Sequence, residues 1–299
     1  MQVSHIAAFC DGAQGGNPAG VVICDVLPPS EDMQATAAKV GYSETVFAAP
    51  LESSFRVRYF APLLEVPFCG HATIALGVAL AKKFGSGTFH LTLNDTTISV
   101  DGVSTPFSMS AELQSPPTSS VPVEPAVVET ALRIFGYAPD DLDSRIPVAM
   151  ATAGAHFLVL ALKSRERLHR MNYEIEAGRD FMTAIGVTTI LWAFAETPQL
   201  FHTRNAFAAG GVYEDPATGA ATAAFAGYLR DIGWPHGGDI DIVQGEDMGC
   251  PSRLHAKIDI QPGSSIKVSG TARIMSGDRE PIGRTLSHVL SRTSPHHPI

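Results

Sequence analysis

The chain has 299 residues, 45% of them hydrophobic and 17% charged, with a formal net charge of −9. That length and apolar content can bury a sizeable core, suffice for two domains of ordinary size and exclude a disordered chain. The acidic balance leaves no basic field to hold a phosphate backbone, so nucleic acid is not an expected partner.

No Lys or Arg precedes Lys39, which removes the charged start of a signal or transit peptide, and a cytoplasmic location is expected. The opening runs SHIAAF, AGVVIC, ETVFAA and FRVRYF, followed by HLTL, TISV and PFSMS, are β-branched or alternating and broken by Gly, Pro, Asn and Asp. They predict mostly antiparallel strands. SEDMQATAAKVG predicts a helix with Ser30 as its N-cap. GHATIALGVALAKKF, from 70 to 84, predicts a helix apolar nearly all round. Such a helix must be buried on every side, and a curled sheet wrapped around it is its natural container. Its apolar run IALGVALA is too short to span a bilayer, so no membrane is expected as partner.

The segment LQSPPTSSVPVEP, 113 to 125, lacks periodicity and is rich in Pro and Ser, which predicts a linker at the lobe boundary. The expected lobes are residues 1–117 with about 282–299, and residues 118–281. Beyond the boundary, IPVAM, HFLVLAL, TTILWAFA, DIDIVQG, RLHAKIDI and SIKVSG predict strands, and helical character lies near 126–136, 174–185 and 218–232. The densest basic stretch, KSRERLHR at 163–170, reads as a solvated helix face. Four cysteines, at 10, 24, 69 and 250, form no CxxC pair and no metal-ligand spacing, so neither a disulfide framework nor a zinc site is expected.

The halves also repeat. GHATIALGVAL from Gly70 matches GAATAAFAGYL from Gly219 at a spacing of 149, and RYFAP from Arg58 resembles RNAFA from Arg204. VGYSETVF around Gly41 faces IGVTTILW around Gly186 at a spacing of 145. Three matches in one order point to a duplication. Each lobe then sends a glycine-led helix start toward a shared cleft. Helix starts carry free N–H groups and partial positive charge, which suits a carboxylate, although the glycines would equally serve tight turns.

Three ionisable residues accompany these starts. His71 lies in the first turn of an apolar helix, where the helix end disfavours the imidazolium; it is either a functional donor and acceptor or a satisfied core histidine. Asp215, before Pro216, is either functional or a helix cap. Glu44 interrupts an apolar strand and is either an exposed edge glutamate or a buried acid/base with a raised pKa. Its counterpart in the repeat is Thr189. Cys69, before Gly70, is either an activated thiol at a helix start or a buried structural cysteine.

GGNPAGVV at 15–22, SETVF at 43–47, RYFAP at 58–62, CGHAT at 69–73, EDPATGAA at 214–221, QGEDMG and PSRL at 244–254 resemble, in that order, the PhzF-like isomerases of phenazine biosynthesis, within the diaminopimelate epimerase superfamily. The resemblance implies an α+β fold of two duplicated lobes, each a mostly antiparallel β-barrel around a central helix, assembled as a homodimer. It implies a proton-moving isomerase of a small carboxylic acid without metal or organic cofactor, with Glu44 as the general acid/base and His71 and Asp215 as its catalytic partners. Asn17, Gly70, Ala72, Thr218, Gly219 and Ala220 would bind the substrate. Ala220 stands where the family often has Ser and Cys250 where it often has Arg, which points away from the phenazine precursor itself as substrate. A thiol-dependent racemase using Cys69 and a non-catalytic acid-binding protein are the competing expectations.

Overall fold

A computed structural model describes residues 2–275. Its strands and helices alternate in the order β1 (Ser4–Ala8), β2 (Asn17–Ile23), α1 (Ser30–Val40), β3 (Glu44–Leu51), β4 (Ser54–Phe60), β5 (Glu65–Val66), α2 (Gly70–Phe84), β6 (Gly87–Thr92), β7 (Thr97–Ser104) and β8 (Met109–Pro117). The second half follows with β9 (Ser119–Pro122), α3 (Pro125–Phe135), β10 (Ala149–Thr152), β11 (His156–Ala161), α4 (Arg165–His169), α5 (Ile175–Ile185), β12 (Thr189–Ala195) and β13 (Leu200–Ala206). It ends with β14 (Glu214–Asp215), α6 (Gly219–Asp231), β15 (Asp239–Gln244), β16 (Ser252–Lys257) and β17 (Ser265–Ile274).

Strand pairing closes the first lobe into a barrel, β17-β1-β2-β3-β4-β6-β7-β8 and back to β17. The second lobe runs β9-β10-β11-β12-β13-β15-β16-β17, and the start of β17 pairs with the end of β8, where the chain leads into β9. The expected linker is therefore strand. Its Pro and Ser residues are tolerated because β8 and β9 carry the chain from one barrel directly into the other. β17 pairs with β1 and β8 as well as with β16, so it belongs to both walls. Residues 282–299, expected to return to the first lobe, lie outside the described residues.

The expected duplication is visible in the pairing. β2 with β3 and β11 with β12 are parallel, as are β4 with β6 and β13 with β15; the remaining pairings are antiparallel. Each parallel pair spans a crossover helix. Outer crossovers use α1 and α5, which both end on a left-handed glycine, Gly41 and Gly186. The inner crossovers are α2 and α6, whose residues are buried on nearly every side. Ser30 is not the cap of α1. Pro29 holds that position, and the Ser30 hydroxyl accepts from Arg58 Nη1 at 2.9 Å.

Strand alternation decides what each barrel holds. On β11, Phe157, Val159 and Ala161 join the inner core, whereas Leu158 and Leu160 pack outward beneath the outer helices. A strand covered on both faces reads as an unbroken apolar run, as HFLVLA does. β3 follows the same rule: Val46 and Ala48 face inward and Phe47 packs with Met33 and Ala37 of α1. Glu44 shares the parity of Val46 and Ala48. Its carboxylate therefore belongs to the inner face, at the end of the strand nearest the start of α2.

Candidate active site

The starts of α2 and α6 meet in direct contact. A Cβ on Gly70 would lie 2.8 Å from Ala220 N and 3.0 Å from Gly219 Cα, and one on Gly219 would lie 3.4 Å from Gly70 Cα. Neither glycine has a positive φ. Close approach of two backbones, rather than a tight turn, is what requires them. The Phe9 ring closes the junction, with its Cζ 3.1 Å from that same position on Gly219. Phe9 itself has φ +62, a strained left-handed geometry for an aromatic residue, held by complete burial.

Behind each start lies a duplicated clamp. Arg58 Nε donates to Glu65 Oε1 at 2.8 Å and Arg204 Nε donates to Glu214 Oε1 at 2.9 Å, each tying a long strand to the two-residue strand that leads into the central helix. The pair in the first lobe is partly exposed. In the second lobe it is buried, and Arg204 Nη1 also donates to His169 O at 3.0 Å.

Glu44, His71 and Asp215 are brought together at this junction, all buried. Glu44 lies inside the sheet between β2 and β4, which overturns the exposed-edge alternative. Its Oε2 is 3.4 Å from His71 Nε2. Burial raises its pKa above the ordinary carboxylate value, with the Ser43 hydroxyl and the Cys69 thiol pulling the other way. His71 is pushed down to about 3 by burial, so it is neutral across the working range; Ser43 Oγ sits 3.3 Å from its Nε2 and Cys69 Sγ 3.3 Å from its Nδ1. Asp215 is pushed up to about 7, first by burial and then by the charge of Glu44. It caps no helix through its side chain: Asn17 Nδ2 donates to Oδ1 at 2.7 Å and Thr218 Oγ1 to Oδ2 at 2.6 Å.

Asn17 thus joins the lobes, because the same amide nitrogen also donates to Ala217 O at 3.0 Å. Ala72, Thr218, Gly219 and Ala220 line up on the first turns of the two helices or just before them, and Ala220 retains 7% exposure. Cys69 occupies the N-cap of α2. Its thiol is nevertheless raised well above its ordinary pKa, by burial and then by Glu44, which opposes thiolate formation. Thr218 precedes the other helix start at the corresponding position, so the repeat of Cys69 carries a hydroxyl rather than a thiol.

Two further residues complete the frame without having been singled out from the sequence. Gln244 Nε2 donates to Asp215 O at 2.7 Å, and its Oε1 accepts from Thr218 N at 3.1 Å. Ser43 stands beside Glu44 and His71. Both lie in quoted motifs, QGEDMG and SETVF, but no local pattern marks which motif residue turns toward the site. The repeat is chemically uneven. Glu44 corresponds to Thr189, whose hydroxyl donates to Asn205 Oδ1 at 3.1 Å, while His71 corresponds to Ala220 and Asp215 to Val66.

Known proteins agree with this architecture. The family model described as phenazine biosynthesis-like protein, PhzC-PhzF, matches residues 6–277. The chain is 30% identical over 290 residues to an isomerase of Escherichia coli K12 given as uncharacterized, covering 92% of this chain and 96% of that one. It is 29% identical over 289 residues to the trans-2,3-dihydro-3-hydroxyanthranilate isomerase of Pseudomonas aeruginosa, covering 92% and 97%. Among solved structures, a predicted epimerase from Pseudomonas aeruginosa superposes with a TM-score of 0.80 at 21% identity, covering 92% and 96%. A hydroxyproline epimerase from Agrobacterium vitis superposes with a TM-score of 0.65 at 11% identity, covering 92% and 91%, so the barrel fold extends beyond the family. Motifs, barrels and relatives agree that this chain is an isomerase belonging to the phenazine biosynthesis-like PhzC-PhzF family.

Proposed function

We propose that the enzyme moves a proton between carbon atoms of a small carboxylic acid, with Glu44 as the general acid/base and no cofactor. The observation that carries this reading is the burial of Glu44, with a raised pKa, beside two touching helix starts. A carboxylate with a raised pKa can accept a proton from carbon and return it at pH near neutrality. The substrate carboxylate would sit at the helix starts, whose first N–H groups have no intrahelical acceptor. Charge that spreads onto that carboxylate when the C–H bond breaks is then met by fixed donors. His71, kept neutral, and Asp215, kept largely protonated below about pH 7, would donate to the developing anion.

The same asymmetry favours one proton carrier over two, since Thr189 stands opposite Glu44 in the repeat. The raised thiol of Cys69 and the Thr218 hydroxyl at the matching position count against a thiol racemase. The named substrate of the Pseudomonas aeruginosa relative is a cyclic hydroxy amino acid, and this chain's acid is proposed to belong to the same broad class of unsaturated or amino-substituted acids. Ala220, at the second helix start, would alter its fit. The lobes are proposed as residues 1–117 with about 282–299, and 118–281, in a cytoplasmic homodimer, a stoichiometry that light scattering tests directly. The catalytic test is Glu44→Gln: solvent deuterium should cease to enter the substrate while thermal unfolding remains cooperative. Retained exchange would refute the role of Glu44, and loss of activity on dialysis against chelator would refute cofactor independence.

A further inference from the structure

We infer that Glu44, Cys69 and His71 form a three-ligand site for a thiophilic divalent cation such as Zn2+, through which that ion shuts the enzyme off. The three side chains come from two segments: Glu44 begins β3, and Cys69 and His71 flank the first residue of α2. Each offers one ligand atom, and these atoms lie within 4.8 Å of one another. Glu44 Oε2 is 3.4 Å from His71 Nε2, and Cys69 Sγ is 4.0 Å from the same nitrogen. Around a tetrahedral Zn2+, with bonds of about 2.0–2.3 Å, neighbouring O, N and S ligand atoms lie about 3.3–3.6 Å apart. The thiol, 3.3 Å from Nδ1 and 4.0 Å from Nε2, has to move about half an ångström toward Nε2 to reach that spacing.

The donor set also suits the ion chemically. One thiolate, one imidazole and one carboxylate match the borderline softness of Zn2+ better than that of Mg2+ or Ca2+, which prefer oxygen alone. Three ligands leave a fourth position for water or for a substrate carboxylate. The positive helix starts oppose a cation, but the two anionic ligands cancel the ion's charge locally. Sequence spacing conceals the site. Cys69 and His71 are only two residues apart, Glu44 is distant in the chain, and no CxxC or HxxxH pattern results.

A thiolate ligand has given up its proton, so binding the ion releases at least one proton. The ion would occupy the Glu44 carboxylate, so exchange and turnover should stop in proportion to occupancy. That consequence rests on the proposed role of Glu44, whereas the binding does not.

Co2+ titration of the full-length enzyme reads the site directly, because a cobalt–thiolate bond gives a near-ultraviolet charge-transfer band. The band should appear at one ion per chain. It should persist in Cys24→Ala, which removes a half-buried thiol elsewhere, and vanish in Cys69→Ser. Loss of a ligand should exceed the 10–100-fold effect of losing an outer-shell partner, so Zn2+ affinity in Cys69→Ser should fall at least about 100-fold. Absence of the band in the wild type, or its survival in folded Cys69→Ser, would overturn the inference. If Cys69→Ser does not fold, X-ray absorption of the zinc-loaded wild type decides: one sulfur at about 2.3 Å with nitrogen and oxygen at about 2.0 Å supports the site, and oxygen and nitrogen alone refute it. A cobalt band accompanied by undiminished deuterium exchange would count against Glu44 as the proton carrier and leave the ion site standing. No band, with exchange still lost in Glu44→Gln, would do the reverse.

Discussion

Replacing Asp215 by Asn should make the protein progressively more stable than the wild type as pH rises from 5 to 8. The Asp215 carboxyl titrates at about 7 in the folded protein against 3.8 in the unfolded chain, because burial and the charge of Glu44 disfavour its ionised form. A raised carboxyl contributes stability that is fully present below 3.8 and is lost as pH climbs through 7. Between pH 5 and pH 7 the folded state holds a proton that the unfolded state has released, and above pH 7 neither holds it. At 1.36 kcal/mol per pH unit, the difference between variant and wild type should move by about 3 kcal/mol in the variant's favour over that range. His71 acts in the opposite sense, since its depressed pKa makes stability rise with pH from about 3 to 6.5. Both proteins share that contribution, and it cancels in their difference. The variant amide retains an acceptor for Asn17, so any altered hydrogen bonding to Thr218 adds only an offset that does not vary with pH. Urea unfolding at pH 5, 6, 7 and 8 measures the curve. A difference that stays flat across these four values would refute a raised Asp215 and, with it, the idea that Asp215 remains largely protonated at the site.

Further outcomes follow from the same geometry. Gly70→Ala drives a methyl group against Ala220 N and Gly219 Cα, so unfolding should reveal a loss of about 1–3 kcal/mol, with activity falling as the helix starts separate. Asn17→Ala leaves Asp215 Oδ1 and Ala217 O without that donor, and should cost about 1–3 kcal/mol while raising the pKa of Asp215 further, as followed by carboxyl NMR. The duplicated clamps should behave unequally. Arg204→Ala strands the buried Glu214 and should cost about 3–5 kcal/mol in denaturant melts, whereas Arg58→Ala, at a partly exposed pair, should cost about 1 kcal/mol or less. Equal losses at the two sites would contradict the difference in burial.

Much of the fold was legible in the sequence because its determinants are local or periodic. Alternation marked β4, β-branched or apolar runs marked β3, β11 and β12 as strands, and the all-round apolar composition of 70–84 marked α2 as enclosed. Internal matching found both central helices, the Gly41 and Gly186 turns and the arginine of each clamp. The expected linker at 113–125 failed because Pro and Ser suppress strand propensity locally, whereas β8 and β9 are held by partners far away in the chain. Propensity does not see those partners.

The sequence by itself determined that Glu44 shares a strand face with Val46 and Ala48, and left open whether that face lies inside the barrel or at an exposed edge. It also determined that the two halves repeat in order but not in chemistry, with Glu44, Cys69 and His71 on one side and Asp215 on the other. Only the tertiary structure decided that the two helix starts touch, that Asn17 reaches across to Asp215, and that the thiol of Cys69 is raised rather than lowered. The reason is physical: helical and strand periods set which way a side chain points, while electrostatic character depends on distances between segments and on the water they exclude.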